Sequence, residues 1–186
     1  TIHKDLMNEE SFKKYNILKE YPLKIELIKY FRSNNLLWSS RGFEVQDPLN
    51  TLYFVLDGDG YVGYDNKTIP LKKGCIYLIP TKRTRFYGCK NFIEKYWCFF
   101  QMRNSLGIDL LDGHSDIVCL TDNLFSKNIH PLFENTTLKN MLKIQGLIYD
   151  LFEEKKLLDL FLNRRNLKEK KYTKVFQYIE NNLSAK

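Results

Sequence analysis

The order of apolar and polar positions divides the chain into three stretches. Residues 8–33 are charged and mixed, and Glu9-Glu10-Ser11-Phe12-Lys13-Lys14-Tyr15 reads as a short helix. Pro22 ends it, because proline lacks an N–H donor and disfavours helix in the residue before it. From residue 36 to 120 short runs of strand formers alternate with turns. Strands are expected over 52–56, 61–64, 68–71, 75–79, 84–87, 94–101 and 117–120. Asp57-Gly58-Asp59-Gly60 is expected as a hairpin turn, Asp65-Asn66-Lys67 and Lys72-Lys73-Gly74 as further turns, and Pro80 as a stop. Short strands with turns about every ten residues and no helices between them predict an antiparallel sandwich or barrel.

The period changes after His130-Pro131. Leu138, Met141, Leu142, Gln145, Ile148, Leu151, Phe152, Leu158, Phe161 and Leu162 recur at spacings of three and four. That is an amphipathic helix of many turns, or two helices joined near Glu153-Glu154-Lys155-Lys156. Ile144 and Leu147 widen the apolar face, so the helix must bury two sides. One side can pack on the β domain and the other on a second copy of the chain, with Met141, Gln145, Ile148 and Phe152 as the expected dimer interface. A helix buried wholly within its own chain is the alternative. Asn163-Arg164-Arg165-Asn166-Leu167-Lys168-Glu169-Lys170-Lys171 reads as a basic linker whose charges are solvated. Val175, Phe176, Ile179 and Leu183 then open a new helix, as the first piece of another domain would.

Composition adds two facts. The 186 residues carry a net charge of +7, a weak pointer to nucleic acid that concentrates in the linker and last helix. Aromatic residues reach 15%, with 13 Phe and 12 Tyr against 9 Gly. A surplus of Tyr suits either an interface or a cavity that needs apolar walls with hydroxyls. No run approaches the ~18 apolar residues of a membrane span. Thr1-Ile2-His3-Lys4-Asp5 is followed by no apolar export core, so a cytoplasmic protein is expected, with no membrane partner. Cys75, Cys89, Cys98 and Cys119 form no Cys-x-x-Cys pair, and His3, His114 and His130 are far apart, so neither thiol redox chemistry nor a His-based metal site is indicated. There is no Gly-x-Ser-x-Gly elbow and no phosphate-binding loop of the Walker type, so no catalytic residue is assigned and no cofactor is expected.

Several motifs occur together in one order. Leu52-Tyr53-Phe54-Val55-Leu56-Asp57-Gly58-Asp59-Gly60 is an aromatic-aliphatic strand ending in Gly-x-Gly. Pro70-Leu71-Lys72-Lys73-Gly74-Cys75-Ile76-Tyr77-Leu78-Ile79-Pro80 contains Leu-x-x-Gly-x-x-x-Leu-Ile-Pro, and Lys95-Tyr96-Trp97-Cys98-Phe99-Phe100-Gln101 follows. This order resembles the effector-binding, cupin-like domain of AraC-family transcription regulators, over roughly residues 36–186. The third motif departs from that family in having Phe99 where a His is frequent. Tyr172 to Leu183 is similar to the start of the first helix of the family's DNA-binding domain.

The resemblance implies a mainly β fold with α, an antiparallel cupin-type, jelly-roll-like barrel followed by an antiparallel pair of helices. Residues 1–35 would form an N-terminal arm, 36–121 the barrel, 122–165 a helical dimerisation segment, and 166–186 a linker with the start of a truncated helix-turn-helix domain. It implies a homodimer that senses a small-molecule effector and reaches DNA only through a missing C-terminal domain. Metal-dependent cupins place a ligand His after the Gly-to-Pro turn. Arg85 stands there in this chain, and a guanidinium has no lone pair to give and repels a cation. By the same resemblance Arg41, Tyr87 and Trp97 fall at effector-contacting positions, Arg41 on the strand before residue 52. Lys95, two residues before Trp97, points the same way along a strand. Arg41, Arg85 and Lys95 together favour an organic anion, although the related sensors include sugar binders. Tyr53, Tyr61, Tyr87, Tyr96 and Trp97 compete to be packing or ligand wall. A metal-free, isomerase-like cupin enzyme and an interaction module with a filled barrel are the alternative functions.

Overall fold

The computed structural model describes residues 9–34, 37–41, 43–81, 85–112, 114, 116–121, 125–135, 137–154, 156–159, 178–179 and 182. The linker over 163–171 and most of the last helix lie outside the described residues. The chain divides into two compact units, residues 1–147 and 148–186.

The first unit is a mainly β, antiparallel fold with helices after the sheet, as expected. Helix α1 (Glu9–Glu20) ends just before Pro22. It is followed by β1 (Leu23–Asn34), which the mixed, charged sequence did not announce. The other strands are β2 (Asn50–Tyr64), β3 (Lys67–Pro70), β4 (Cys75–Ile79), β5 (Phe86–Met102) and β6 (Val118–Thr121). Their order is β1-β5-β2-β4-β6, with β3 paired to β2. β1 pairs with β5 from Leu23↔Met102 to Asn34↔Phe92, upstream of residue 36 where the sequence placed the barrel's start. Among the described residues one side of β1 has no partner strand, and its Lys24, Glu26, Lys29 and Arg32 suit such an edge.

Two expected breaks are absent. Asp57-Gly58-Asp59-Gly60 is not a hairpin turn: β2 runs through it, and β5 runs through the stretch expected as a gap between 87 and 94. Both are long bent strands. Their pairing shifts register between Val55/Asp57 and between Gly58/Gly60, the signature of bulges that bend a sheet. Gly58 sits there at φ 109, and a Cβ on it would meet the Phe92 carbonyl oxygen at 2.3 Å. The Asp59 carboxylate accepts from the backbone N–H of Lys90 and Asn91, both at 3.0 Å, and so ties the bulge to β5. The predicted turn at Asp65-Asn66 is real, with both residues at positive φ joining β2 to β3.

The bend gives the sheet an inner and an outer face. Tyr53, Val55 and Val62 of β2, Tyr77 and Ile79 of β4, and Cys89 and Ile93 of β5 share one buried cluster with Trp38 and Leu71 on the inner side. On the other side Phe54 and Tyr96 meet helix α2 (Phe125–Glu134). The Phe133 ring lies 5.1 Å from Phe54 and stacks 4.7 Å from Tyr96, and a 2.8 Å hydrogen bond joins the Tyr96 hydroxyl to His130 Nδ1. Alternate residues of the central strand are therefore buried on both faces, which is why residues 52–56 read as an unbroken apolar run. Helix α2 continues through Pro131, so the helical course begins before the change of period that the sequence marks after His130-Pro131.

Helix α3 (Leu138–Glu154) follows, and Lys156 at φ 51 interrupts the helical course near the expected joint. In the second unit Ile148, Leu151, Phe152, Leu157 and Leu158 are buried. No helix among the described residues is long and apolar enough to cross a membrane.

Candidate functional site

A cavity of about 330 Å³ opens on the inner face of the sheet, lined by Phe31, Leu37, Trp38, Asp47, Tyr53, Tyr87, Lys95, Trp97 and Phe99. Strand alternation supplies most of the wall. Lys95, Trp97 and Phe99 lie two apart on β5, and Tyr53 of β2 pairs directly with Trp97. Phe31 of β1 pairs with Lys95.

The remaining wall comes from the connection between β1 and β2. Ser40 N–H donates to the Tyr87 carbonyl at 2.9 Å, and Tyr87 N–H donates to Ser40 Oγ at 3.2 Å. Val45 and Arg85 form an antiparallel bridge, with Arg85 N–H donating to the Val45 carbonyl at 2.9 Å. These bonds hold the loop against the start of β5 and lay Trp38 over the cavity. Its ring stacks on Tyr87 at 5.0 Å and meets Tyr53 edge-on at 6.4 Å.

Two basic side chains are buried at this site. Lys95 is 2% exposed, with Nζ 3.3 Å from the Tyr53 ring centre, 3.9 Å from Trp38 and 5.8 Å from Phe31. Ring faces attract an ammonium but do not replace its hydrogen bonds to water. Among the described residues no carboxylate reaches it. Burial pushes the Lys95 amine well below the ordinary lysine range, and the nearby Arg85 charge pushes the same way against smaller opposing effects of Asp47 and Cys89. Arg85 is 1% exposed. Its Nη2 donates to the Asp47 carboxylate and lies 3.5 Å from Thr51 Oγ1. Nε and Nη1 are buried with no hydrogen-bond partner among the described residues. Asp47 stands in the cavity wall with Arg85 behind it. Burial also raises the Tyr53 phenol, an effect the Arg85 charge opposes.

Among the described residues the site thus holds two buried basic groups against one carboxylate, enclosed by aromatic rings. Of the residues the sequence singled out, Tyr87, Lys95 and Trp97 line the cavity, and Arg85 backs it through Asp47. Arg41 is not brought there. It is exposed at φ 51 in the loop between β1 and β2 rather than on a strand, and it is absent from the cavity lining. Among the competing aromatics Tyr53, Tyr87 and Trp97 are wall. Tyr96 belongs to the outer face, and Tyr61 covers Gly88, whose Cβ would meet the tyrosine hydroxyl at 2.6 Å.

Sequence reasoning missed Phe31, Leu37, Trp38, Asp47 and Phe99. Period two along β5 pointed to Phe99, but the loop residues carry no periodic signal. Among the described residues no cluster of three His, Cys, Asp or Glu could hold a metal ion. On α3, Met141 and Gln145 are half-buried, while Ile148 and Phe152 are 2% and 0% exposed and so already covered within the chain.

No protein-family model matches the chain, and no curated protein matches it. Among solved structures it is similar to a cupin-2 domain containing protein from Shewanella frigidimarina, at 14% identity and a TM-score of 0.32, over 53% of this chain and 95% of that one. It is also similar to apo ToxT from Vibrio cholerae, at 8% identity and a TM-score of 0.40, over 73% of this chain. The chain spans 56% of the length of that ToxT structure.

Proposed function

We propose that this chain is a ligand-sensing domain that takes a small organic anion with a flat apolar body into the cavity of the first unit. One observation carries the reading: Lys95 and Arg85, 2% and 1% exposed, are held at an aromatic cavity with only Asp47 to balance them. Burial disfavours the charged form of the Lys95 amine, and a bound anion offsets that cost directly. Stacked rings fit a planar body, while the ammonium and guanidinium fit a carboxylate or similar head. A volume of about 330 Å³ suits a small molecule and is too small for a peptide chain. Nothing in this reading requires turnover, so binding without catalysis is the proposal.

The motif order that resembles AraC-family sensor domains supports a regulatory use of such binding. On that reading occupancy biases the conformers of this domain, and a DNA-binding domain receives the bias. The helical segment then serves dimerisation through the exposed part of α3, where Leu138 and Leu142 are 77% and 57% exposed, beside Met141 and Gln145.

The experiment uses the two tryptophans of the chain, Trp38 and Trp97, which both line the cavity. Their emission is titrated with benzoate, benzamide and benzylamine, three molecules of nearly equal size that are negative, neutral and positive. Benzoate is expected to bind at least tenfold more tightly than either of the others, about 1.4 kcal/mol, and Lys95→Met is expected to abolish the preference. Equal affinity for all three, or binding that ignores Lys95, overturns the reading.

A further inference from the structure

The anion reading leaves one feature of the cavity unused. Lys95 is placed as a nucleophile is placed, and not only as a countercharge. An amine that serves only to attract a carboxylate is best fully protonated and hydrogen-bonded. Lys95 instead has Nζ pressed between the Tyr53 and Trp38 rings at 3.3 and 3.9 Å, with a second cation nearby. The groups facing it from the surrounding elements are Arg85 and Asp47 at the loop side, Cys89 on its own strand, and the Tyr53 phenol on β2. Of these only Asp47 is a carboxylate, and it is taken by Arg85. Such surroundings favour the neutral form of the amine, which is the form that attacks a carbonyl carbon.

We infer that Lys95 binds its ligand as a reversible imine, so that the ligand class is an organic anion carrying an aldehyde or ketone group. This inference rests on the anion reading above. The step balances without any further reactant. The Lys95 nitrogen attacks the carbonyl carbon, and the adduct loses the carbonyl oxygen as water together with the two amine protons, leaving a carbon–nitrogen double bond. Hydrolysis restores lysine and ligand. The aromatic walls limit water at the new bond, and the Arg85 guanidinium behind Asp47, with Nε and Nη1 unpartnered among the described residues, is the cation left for the ligand's carboxylate. A domain that captures its ligand in this way discriminates a carbonyl compound from the corresponding alcohol, a difference that stacking and charge alone read poorly.

The test uses the whole chain with para-carboxybenzaldehyde, its alcohol counterpart para-(hydroxymethyl)benzoate, and borohydride to trap an imine as a stable secondary amine. Peptide mass mapping then locates the adduct. An ordinary exposed lysine is neutral in only about one molecule in 2,500 at pH 7. The expected result at that pH is trapping at Lys95 at least tenfold faster than at the exposed Lys24 and Lys73. The rate at Lys95 should be nearly flat toward higher pH while the exposed lysines climb. Lys95→Met removes the adduct, and Lys95→Arg, which carries a fixed charge but forms no imine, removes it while retaining binding of the alcohol. Trapping spread evenly over exposed lysines, with the alcohol still bound in the cavity, overturns the imine and leaves the anion reading standing. Failure of both compounds to bind or react overturns both.

Discussion

Replacing Lys95 by methionine is the perturbation that most directly probes the site. The side chain is 2% exposed in the middle of β5, with Phe31 and Val55 as its register partners and aromatic rings over its nitrogen. Methionine has nearly the same length and fills the same space, with a thioether suited to aromatic surroundings. The substitution therefore removes a buried amine without opening a hole, and it is expected to stabilise the unliganded chain by about 1–3 kcal/mol near pH 7. The pH dependence carries the sharper test. Lys95 has a folded-state value well below the 10.5 of a free lysine, so between the two values the unfolded chain binds the extra proton. Wild-type stability contributed by this group is lowest at low pH and recovers as pH rises toward 10.5, with a slope of at most about 1.4 kcal/mol per pH unit. The advantage of the methionine variant must shrink along the same path. Burial raises the thiols of Cys75, Cys89 and Cys98, which acts with the opposite slope at alkaline pH. Subtracting the two urea-denaturation curves at each pH cancels that shared contribution. A methionine variant that is less stable at neutral pH, or whose advantage does not change with pH, refutes the reasoning about a destabilised amine.

Other outcomes follow from the framework around the cavity. Asn50 is fully buried, donates to Asp109 at 3.0 Å and accepts from Thr81 N–H at 3.0 Å, so Asn50→Ala strands two buried groups and should cost about 2–4 kcal/mol in urea denaturation. Gly58→Ala puts a methyl 2.3 Å from the Phe92 carbonyl at a φ that side chains resist, so the bulge must shift, at a cost of at least ~2 kcal/mol and with weaker benzoate binding. A free energy change near zero would show that the bend does not depend on that position. On α3, Leu142→Glu should convert a dimer to a monomer in sedimentation while circular dichroism stays unchanged, because Leu142 is 57% exposed. Ile148→Asp should unfold the chain instead, because Ile148 is 2% exposed; a folded monomer from the aspartate variant would count against that placement.

What the sequence made legible follows physical lines. Elements announced by period and by strong turn chemistry are found: α1 up to Pro22, β4 between Gly74 and Pro80, the Asp65-Asn66 hairpin and the helical period from Leu138. β1 was hidden because an edge strand carries charges on its exposed positions and reads as neither strand nor helix. The two glycines and two aspartates at 57–60 were misleading for a related reason. Positive φ at a glycine serves a bulge as well as a turn, and only the partner strand decides between them. The site divides in the same way. Residues set by strand alternation, Lys95 and Trp97, were found, and Tyr53 was at least on the shortlist. Trp38 and Asp47 sit in a loop whose path is set by hydrogen bonds to Ser40, Val45 and Thr81, contacts between residues up to 47 positions apart. Arg41 lies in that same loop, exposed at φ 51 and outside the cavity lining, a placement that strand alternation does not set. The charge of the site could be read from residue types on strands. Its shape, and the capping ring that makes Lys95 unusual, depends on how the loop folds back over the sheet.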